Sequence, residues 1–337
     1  MTAPALKEAA LVAISLLVAM AVSSVLILIY GESPLAVYRL MLAHTWGDAY
    51  GLGQVLFKAT PLIFTGLAVA LAFRAGLFNI GAEGQLLVGS LLSGLVGAHA
   101  AGLPAPLAVV ACLVAGAAGG AALGALPGWL KARFGAHEVI NTIMLNFIVQ
   151  ALLLWAGRRF FFVEQTVHTA PIAEVARLPR LPGLGESAAS LAFPLGIAIC
   201  LAVGFLLERT RAGFELRAVG QGPSAAQAGG IAVGRVVVAA MTLSGAIAGL
   251  VGSGTVLGYK GYFEDGLGSG TGFMGIAVAL LARSRPLAVV AAALLFGTLA
   301  QGGLAANALV PKEIIDVLQA VIILSVAATS MELRRQA

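Results

Sequence analysis

Any chemistry in this chain has to be argued from Glu83. It lies in "GLFNIGAEGQ" at 76–85, with Asn79 before it and Gln85 after it, between apolar runs long enough to cross a bilayer. A carboxylate at membrane depth costs about 3 kcal/mol unless it meets a partner, a helix N-terminus or water. Two uses would justify that cost. Glu83, Asn79 and Gln85 could line a path for a hydrophilic solute. Alternatively, Glu83 could brace a broken helix, whose first-turn N–H groups favour an anion; bracing is the stronger reading. Thr142, Asn146 and Gln150 follow at i, i+4 and i+8, a spacing read as one helix face, with Asn141 on its flank. Such polar seams more often join membrane helices than hold solute, although a hydrophilic path would need one. A third set, "SAAQAGGI" at 224–231, places Ser224, Ala225 and Ala226 ahead of Gly229 and Gly230. It reads as a short helix with a small-residue face that fits a groove on another protein.

None of these sets is catalytic. There is no G-x-x-x-x-G-K-[ST] run, because "GSGTVLGYKG" puts Tyr259 between Gly258 and Lys260, so the chain is not expected to hydrolyse ATP. H-E-x-x-H and G-x-S-x-G are absent, and His44, His99, His137 and His168 are scattered. Cys112 and Cys200 sit inside apolar runs and read as small buried hydrophobes. No metal or cofactor is expected, and the net charge of +5 is a matter of membrane topology rather than nucleic-acid binding.

The elements that position these residues are membrane helices. Of 337 residues, 60% are apolar and 10% charged, and mean hydropathy is +0.98; a soluble domain carries about 25% charge. Candidate spans are 9–29, 54–73, 78–98, 105–126, 138–156, 190–207, 235–257, 271–282, 286–305 and 314–330. The eighth is too short to cross alone and follows the Gly-rich "YKGYFEDGLGSGTGF". The first is longer than a signal-peptide core and reads as retained. With the N-terminus inside, Lys7, Arg74, Lys131, Arg133, Arg209, Arg211, Arg217, Arg235, Arg283, Arg285, Arg334 and Arg335 fall on the cytoplasmic side. Four of the other basic residues (Arg158, Arg159, Arg177, Arg180) belong to one long loop, where charge says less. Both termini are therefore assigned to the cytoplasm, the loop 158–189 outside and the segment 208–234 inside. Lys58, near the outer end of its span, is read as snorkelling, and Pro61 as a tolerated kink.

The second half repeats the first. "PLAVVA" occurs at 106–111 and at 286–291, "EVINTIMLNFIV" from 138 parallels "EIIDVLQAVIIL" from 313, and "LFNIGAEGQLLVG" from 77 has a looser counterpart in "GFMGIAVALLARS" from 272. Asp316 thereby matches Asn141. Spans 2–5 (about 52–157) would correspond to spans 7–10 (about 233–331), five crossings apart and so inverted. Inverted repeats are a transporter architecture, with sites near the midplane built from interrupted helices. The fold expected is an all-α polytopic membrane protein, one permease domain over 1–337 with about ten transmembrane helices.

"TPLIFTGLAVALAFRAGLFNIGAEGQLLVG" (60–89), "HEVINTIMLNFI" (137–148), "ELRAVGQGPSAAQAGGI" (215–231) and "GFMGIAVALLARSRPLA" (272–288) together resemble permeases of bacterial ABC importers. The class is that of branched-chain amino acids and simple sugars, and within it the nucleoside branch. The resemblance covers about 10–330. It implies a multi-pass subunit of the cytoplasmic (inner) membrane that forms the path for a small hydrophilic solute, a nucleoside first and a simple sugar as the alternative. It also implies three partners: an ATPase that uses the ATP, a second related permease (a heterodimer rather than a homodimer), and a lipoprotein-type extracellular binding protein. The docking signature in this family is Glu-Ala-Ala-x-x-x-Gly, and Ser224 stands where it has Glu. Glu215, Arg217, Ser224, Ala225, Ala226, Gly229 and Gly230 are the expected coupling residues. Asn79, Glu83, Gln85, Asn141, Thr142, Asn146, Gln150 and Phe273 are the expected path residues. An ion-coupled secondary transporter is the rival class, because inverted repeats suit it equally.

Overall fold

The computed structural model describes residues 3–324 apart from 267 and 312, without the side chains of 3–13, 15 and 16. The side chain of Lys7, with Arg334, Arg335 and the end of the expected span 314–330, lies outside the described residues. Those described form helices and no strand; the only sheet-like features are isolated backbone pairings such as His168 with Glu264.

Helix α1 (Ala3–Tyr30) gives way at Gly31 to α2 (Pro34–Trp46), which starts on the proline that best tolerates the first helical turn. The two are bent by 114°; the sequence reading stopped at residue 29 and missed α2. Helix α3 (Ala49–Arg74) runs unbroken through Pro61, and Lys58 is half-buried in it. It stops where Gly76 takes a φ of +71°, a value a side-chain-bearing residue rarely adopts. A non-helical stretch then leads to the short α4 (Ala82–Ala98). Helix α5 (Ala105–Phe134) ends on left-handed Gly135, whose N–H donates to the Lys131 carbonyl. Helix α6 (Glu138–Ala156) continues as a wide turn to Phe161, and α7 covers Ala192–Arg209. The segment 208–234 folds into two helices, α8 (Arg211–Gln221), capped by the Thr210 hydroxyl accepting from Gly213 N–H, and α9 (Pro223–Ala228), where a short helix was expected. Helix α10 (Val233–Gly249) is followed by a wide helix at Ser253–Lys260, then by the short α11 (Thr271–Leu281) and α12 (Pro286–Ala306). Residues 313–324 are again helical.

Six of these stretches are long and apolar enough to cross a membrane: Ala49–Arg74, Ala105–Phe134, Glu138–Phe161, Ala192–Arg209, Val233–Lys260 and Pro286–Ala306. The bent α1–α2 pair makes a possible seventh, while α4 and α11, of 17 and 11 residues, are apolar but short. The expected interruptions are therefore present as short helices with non-helical leads.

The chain forms two compact units. One comprises 1–59, 183–187 and 294–337; within it Gly297 packs on the Val55–Ala59 backbone and Gly303 on Ile315. The other, 60–182 with 188–293, holds every polar residue discussed below except Asp316. Its core is a glycine seam. Gly116, Gly120 and Gly124 of α5 face Met241, Gly245 and Gly249 of α10 so closely that a Cβ on Gly245 would lie 3.0 Å from the Gly124 Cα. Apolar lipid gives helices no hydrophobic reason to associate, so close backbone packing through small residues does it instead.

Candidate functional site

Glu83 sits in the first turn of α4 and is 8% exposed. Its Oε1 accepts from Gly270 N–H and its Oε2 from Gly272 N–H, both at 2.7 Å. Those amides belong to the N-cap and first turn of α11, and Gly270 holds a φ of +83°. One carboxylate therefore caps a second short helix while standing in the first turn of its own, satisfying donors that an exposed helix end would leave to water. Gly272 has no room for a side chain: a Cβ there would lie 2.6 Å from the Glu83 Cα and 2.7 Å from its Oε2.

The lead into α4 is braced as densely. The Asn79 side-chain Oδ1 accepts from Gly81 N–H at 3.0 Å, and the side-chain amides of Asn79 and Gln85 exchange bonds of 2.8 and 3.2 Å. Asn79 Nδ2 also donates to the Ser244 hydroxyl, which donates to the Ala68 carbonyl at 2.6 Å. Asn146 of α6 clamps the break from outside, accepting from Gly84 N–H and donating to the Ile80 carbonyl, both at 2.9 Å. Thr142 returns its hydroxyl to the Glu138 carbonyl of its own helix.

Of the eight residues expected along a path, Asn79, Glu83, Gln85, Thr142 and Asn146 are thus buried and bonded to protein. Gln150 is exposed: eight residues advance a helix by about 80° beyond two full turns, so the buried face continues through Val149 and Leu153 instead. Asn141 is half-buried with an unpartnered Nδ2, and Phe273, in the first turn of α11, is 48% exposed. Asp316 is exposed.

Helix α8 meets this core at the C-terminal end of α3. Gly220 lies against the Arg74–Gly76 backbone, where a Cβ would overlap the Arg74 carbonyl oxygen and come within 3.0 Å of the Ala75 carbonyl carbon. Arg74 in turn donates from Nε to the Ser284 carbonyl just past α11, at 2.9 Å. Glu215 pairs with Arg211 at 2.8 Å, and Arg217 donates from Nη1 to the Leu207 carbonyl. On α9 Ala226 is buried, whereas Ser224 and Ala225, and Gly229 and Gly230 just after the helix, are exposed. Of the small residues that the sequence marked, all but Ala226 are therefore open.

Sequence reasoning missed Gly270, Gly272, Ser244 and the Arg74–Ser284 bond. Gly270 and Gly272 act through backbone N–H groups, which side-chain patterns do not report; the Gly-rich "GSGTG" was the available signal.

A family model described as branched-chain amino acid transport system / permease component matches residues 51–327. A guanosine ABC transporter permease of Bacillus subtilis is 39% identical over 94% of this chain and 92% of its own length. A glucose ABC transporter permease of Haloferax volcanii is 34% identical over 92% of this chain and 85% of its own. A second guanosine ABC transporter permease of Bacillus subtilis is 29% identical over 72% of this chain and 78% of its own.

Proposed function

Because the chain belongs to the branched-chain amino acid transport system / permease family, we propose that it carries a nucleoside through the membrane as one half of an ATP-driven importer. The observation that carries this reading is the 39% identity to a guanosine permease over nearly the full length of both chains. The glucose permease, at 34%, makes a simple sugar the second candidate. ATP hydrolysis falls to a partner ATPase and delivery to an extracellular binding protein. That two guanosine permeases of one organism are both similar to this chain supports pairing with a second, related permease.

The topology we propose has ten crossings over a single domain, 1–337, with both termini cytoplasmic. Repeats span about 52–157 and 233–331, and the coupling segment is 208–234. What supports the repeat is the shared run of long, short and long apolar helices: 26, 17 and 30 residues in the first half, 28, 11 and 21 in the second.

In this mechanism the ATPase grips the open small-residue face of α9, around Ser224, Ala225, Gly229 and Gly230. Force passes through α8, oriented by Glu215 and Arg217, to Gly220 and the Arg74–Gly76 turn. From there it reaches α11, which Glu83 holds at one end and Arg74 at the other. Asn79, Gln85, Thr142 and Asn146 keep the break rigid enough to transmit movement, and solute contact falls to Phe273, Asn141 and Gln150, whose side chains are not committed to bracing it.

The test is reconstitution of the whole assembly in vesicles with labelled guanosine and labelled glucose. ATP-dependent guanosine uptake that needs ATPase and binding protein and ignores an uncoupler is the result expected. Uptake by this chain alone that collapses with an uncoupler would instead establish an ion-coupled carrier.

A further inference from the structure

We propose that the groove between the C-terminal end of α5 and the N-terminal end of α10 binds an anionic phospholipid, its phosphate on Arg133 and Arg235 and an acyl chain along α10. The cavity measures about 750 Å³, inside the roughly 300–1,000 Å³ range of small-ligand sites. Its wall is apolar, with Val238, Leu243 and Ala246 of α10 facing Ala132 of α5. The one hydroxyl along it, Thr242, is already donated to the Val238 carbonyl at 2.7 Å, so a hydrocarbon meets no unpaired polar group there.

The groove ends in positive charge. Arg133 and Arg235 are both exposed at its rim, and neither has a partner among the described residues. Beside them begins α10, whose first helical bond is from Val236 N–H to the Ala232 carbonyl. The amides of Gly234 and Arg235 therefore point out of the helix start with no helical acceptor, where the helix dipole adds attraction for an anion. Trp129, 50% exposed, lies on the same rim and packs edge-on to Phe134 at 5.3 Å; tryptophan at this position marks the membrane interface.

The combination selects the occupant. Free phosphate would use the arginines and leave the apolar wall bare, and a neutral hydrocarbon would do the reverse. A helix of a partner protein seated here would have to bring acidic side chains of its own to meet two guanidiniums, because the described residues supply none and burying them unpaired is costly. An amphiphile with an anionic head uses both halves. Basic pockets between membrane helices on the cytoplasmic side suit such head groups, and the charge count assigns this end to that side.

The experiment uses the complete transporter with its ATPase, purified in mild detergent and titrated with phosphatidylglycerol while bound lipid is counted by native mass spectrometry. Arg133→Gln with Arg235→Gln should weaken binding by about five-fold per arginine, roughly 25-fold together. Arg133→Lys with Arg235→Lys should retain most of it. Ala239→Phe, which fills the groove and leaves the arginines in place, should also lose the lipid. Phosphatidylcholine should bind weakly in every form, and millimolar inorganic phosphate should not displace phosphatidylglycerol. Equal binding of both lipids, wild-type binding by the double Gln variant, or displacement by inorganic phosphate would each overturn the proposal. So would a cross-link from Leu243→Cys to the second permease, because it would show protein in the groove.

Discussion

Replacing Glu83 by Gln separates bracing from solute contact. The carboxylate now accepts from Gly270 and Gly272 through two 2.7 Å bonds. Glutamine preserves the shape but offers one acceptor and one NH₂, so one of the two N–H groups must face a donor. The lost charge-assisted bond is worth about 1.5–3 kcal/mol in water-soluble proteins, and hydrogen bonds between membrane helices average nearer 0.6 kcal/mol. Adding about 1 kcal/mol for the amide left unpaired, we expect a loss of about 2–3 kcal/mol. That is a shift of roughly 30- to 150-fold in favour of the unbraced arrangement. Two readouts are needed on the assembled transporter, its melting temperature and the KM and Vmax of solute uptake. Bracing predicts a lower melting temperature and a fall in Vmax with KM within about two-fold of wild type. Solute contact predicts the converse, a raised KM at unchanged melting temperature. Wild-type values of all three would refute the assignment. Glu83→Asp is the control: it keeps the charge on a side chain one methylene shorter, which cannot span both amides, so full rescue by Asp would show that the bidentate geometry is irrelevant.

Gly220→Leu should uncouple the transporter, with ATPase activity kept and uptake reduced about ten-fold or more, because the new side chain displaces α8 from the Arg74–Gly76 turn; unchanged uptake would remove that contact from the force path. Replacing Gly229 and Gly230 by Leu should abolish co-purification of the ATPase while the permease still inserts, and Gly230 adds backbone strain of about 1–2 kcal/mol because its φ is +85°. Gly245→Val should prevent accumulation of folded chain, since its Cβ meets the Gly120 and Gly124 backbone; Gly234→Ala, with 3.6 Å to the nearest atom, should express normally.

The sequence made the apolar helices legible because length and hydropathy alone select them, and it located both interruptions because glycine clusters punctuate apolar runs. It also read Glu83 as a helix brace, since a buried carboxylate has few other uses that repay desolvation. It did not show which helix Glu83 braces. The donors are backbone amides 187 and 189 residues away, and only the fold brings them there. The Thr142–Asn146–Gln150 face failed at its third member because a fixed step of four drifts off the helix stripe, whereas alternating four and three follows it to Val149. The shortness of α2, 13 residues, and the bend before it defeated a search for unbroken spans. At α9 the sequence marked a short helix because a proline opens it and a glycine pair closes it, but it did not show that Ala226 turns inward while Ser224 and Ala225 stay exposed.

The arrangement around α11 has a consequence that single substitutions do not reach. Glu83 holds its first turn and Arg74 holds Ser284 just beyond its last. An 11-residue helix is about 16 Å long, so the two bonds are well outside the roughly 7–10 Å within which substitutions normally interact. If α11 were anchored mainly by its side-chain packing, Arg74→Gln and Glu83→Gln would have additive effects on melting within about 0.5 kcal/mol. If it is instead carried as a rigid body between the two ends of 74–83, releasing either end frees the helix, and releasing the second adds little. The double variant should then fall short of the summed single effects by about 1 kcal/mol or more, and its uptake should match that of the worse single variant. Strict additivity in both stability and uptake would place the force path somewhere other than this two-ended clamp.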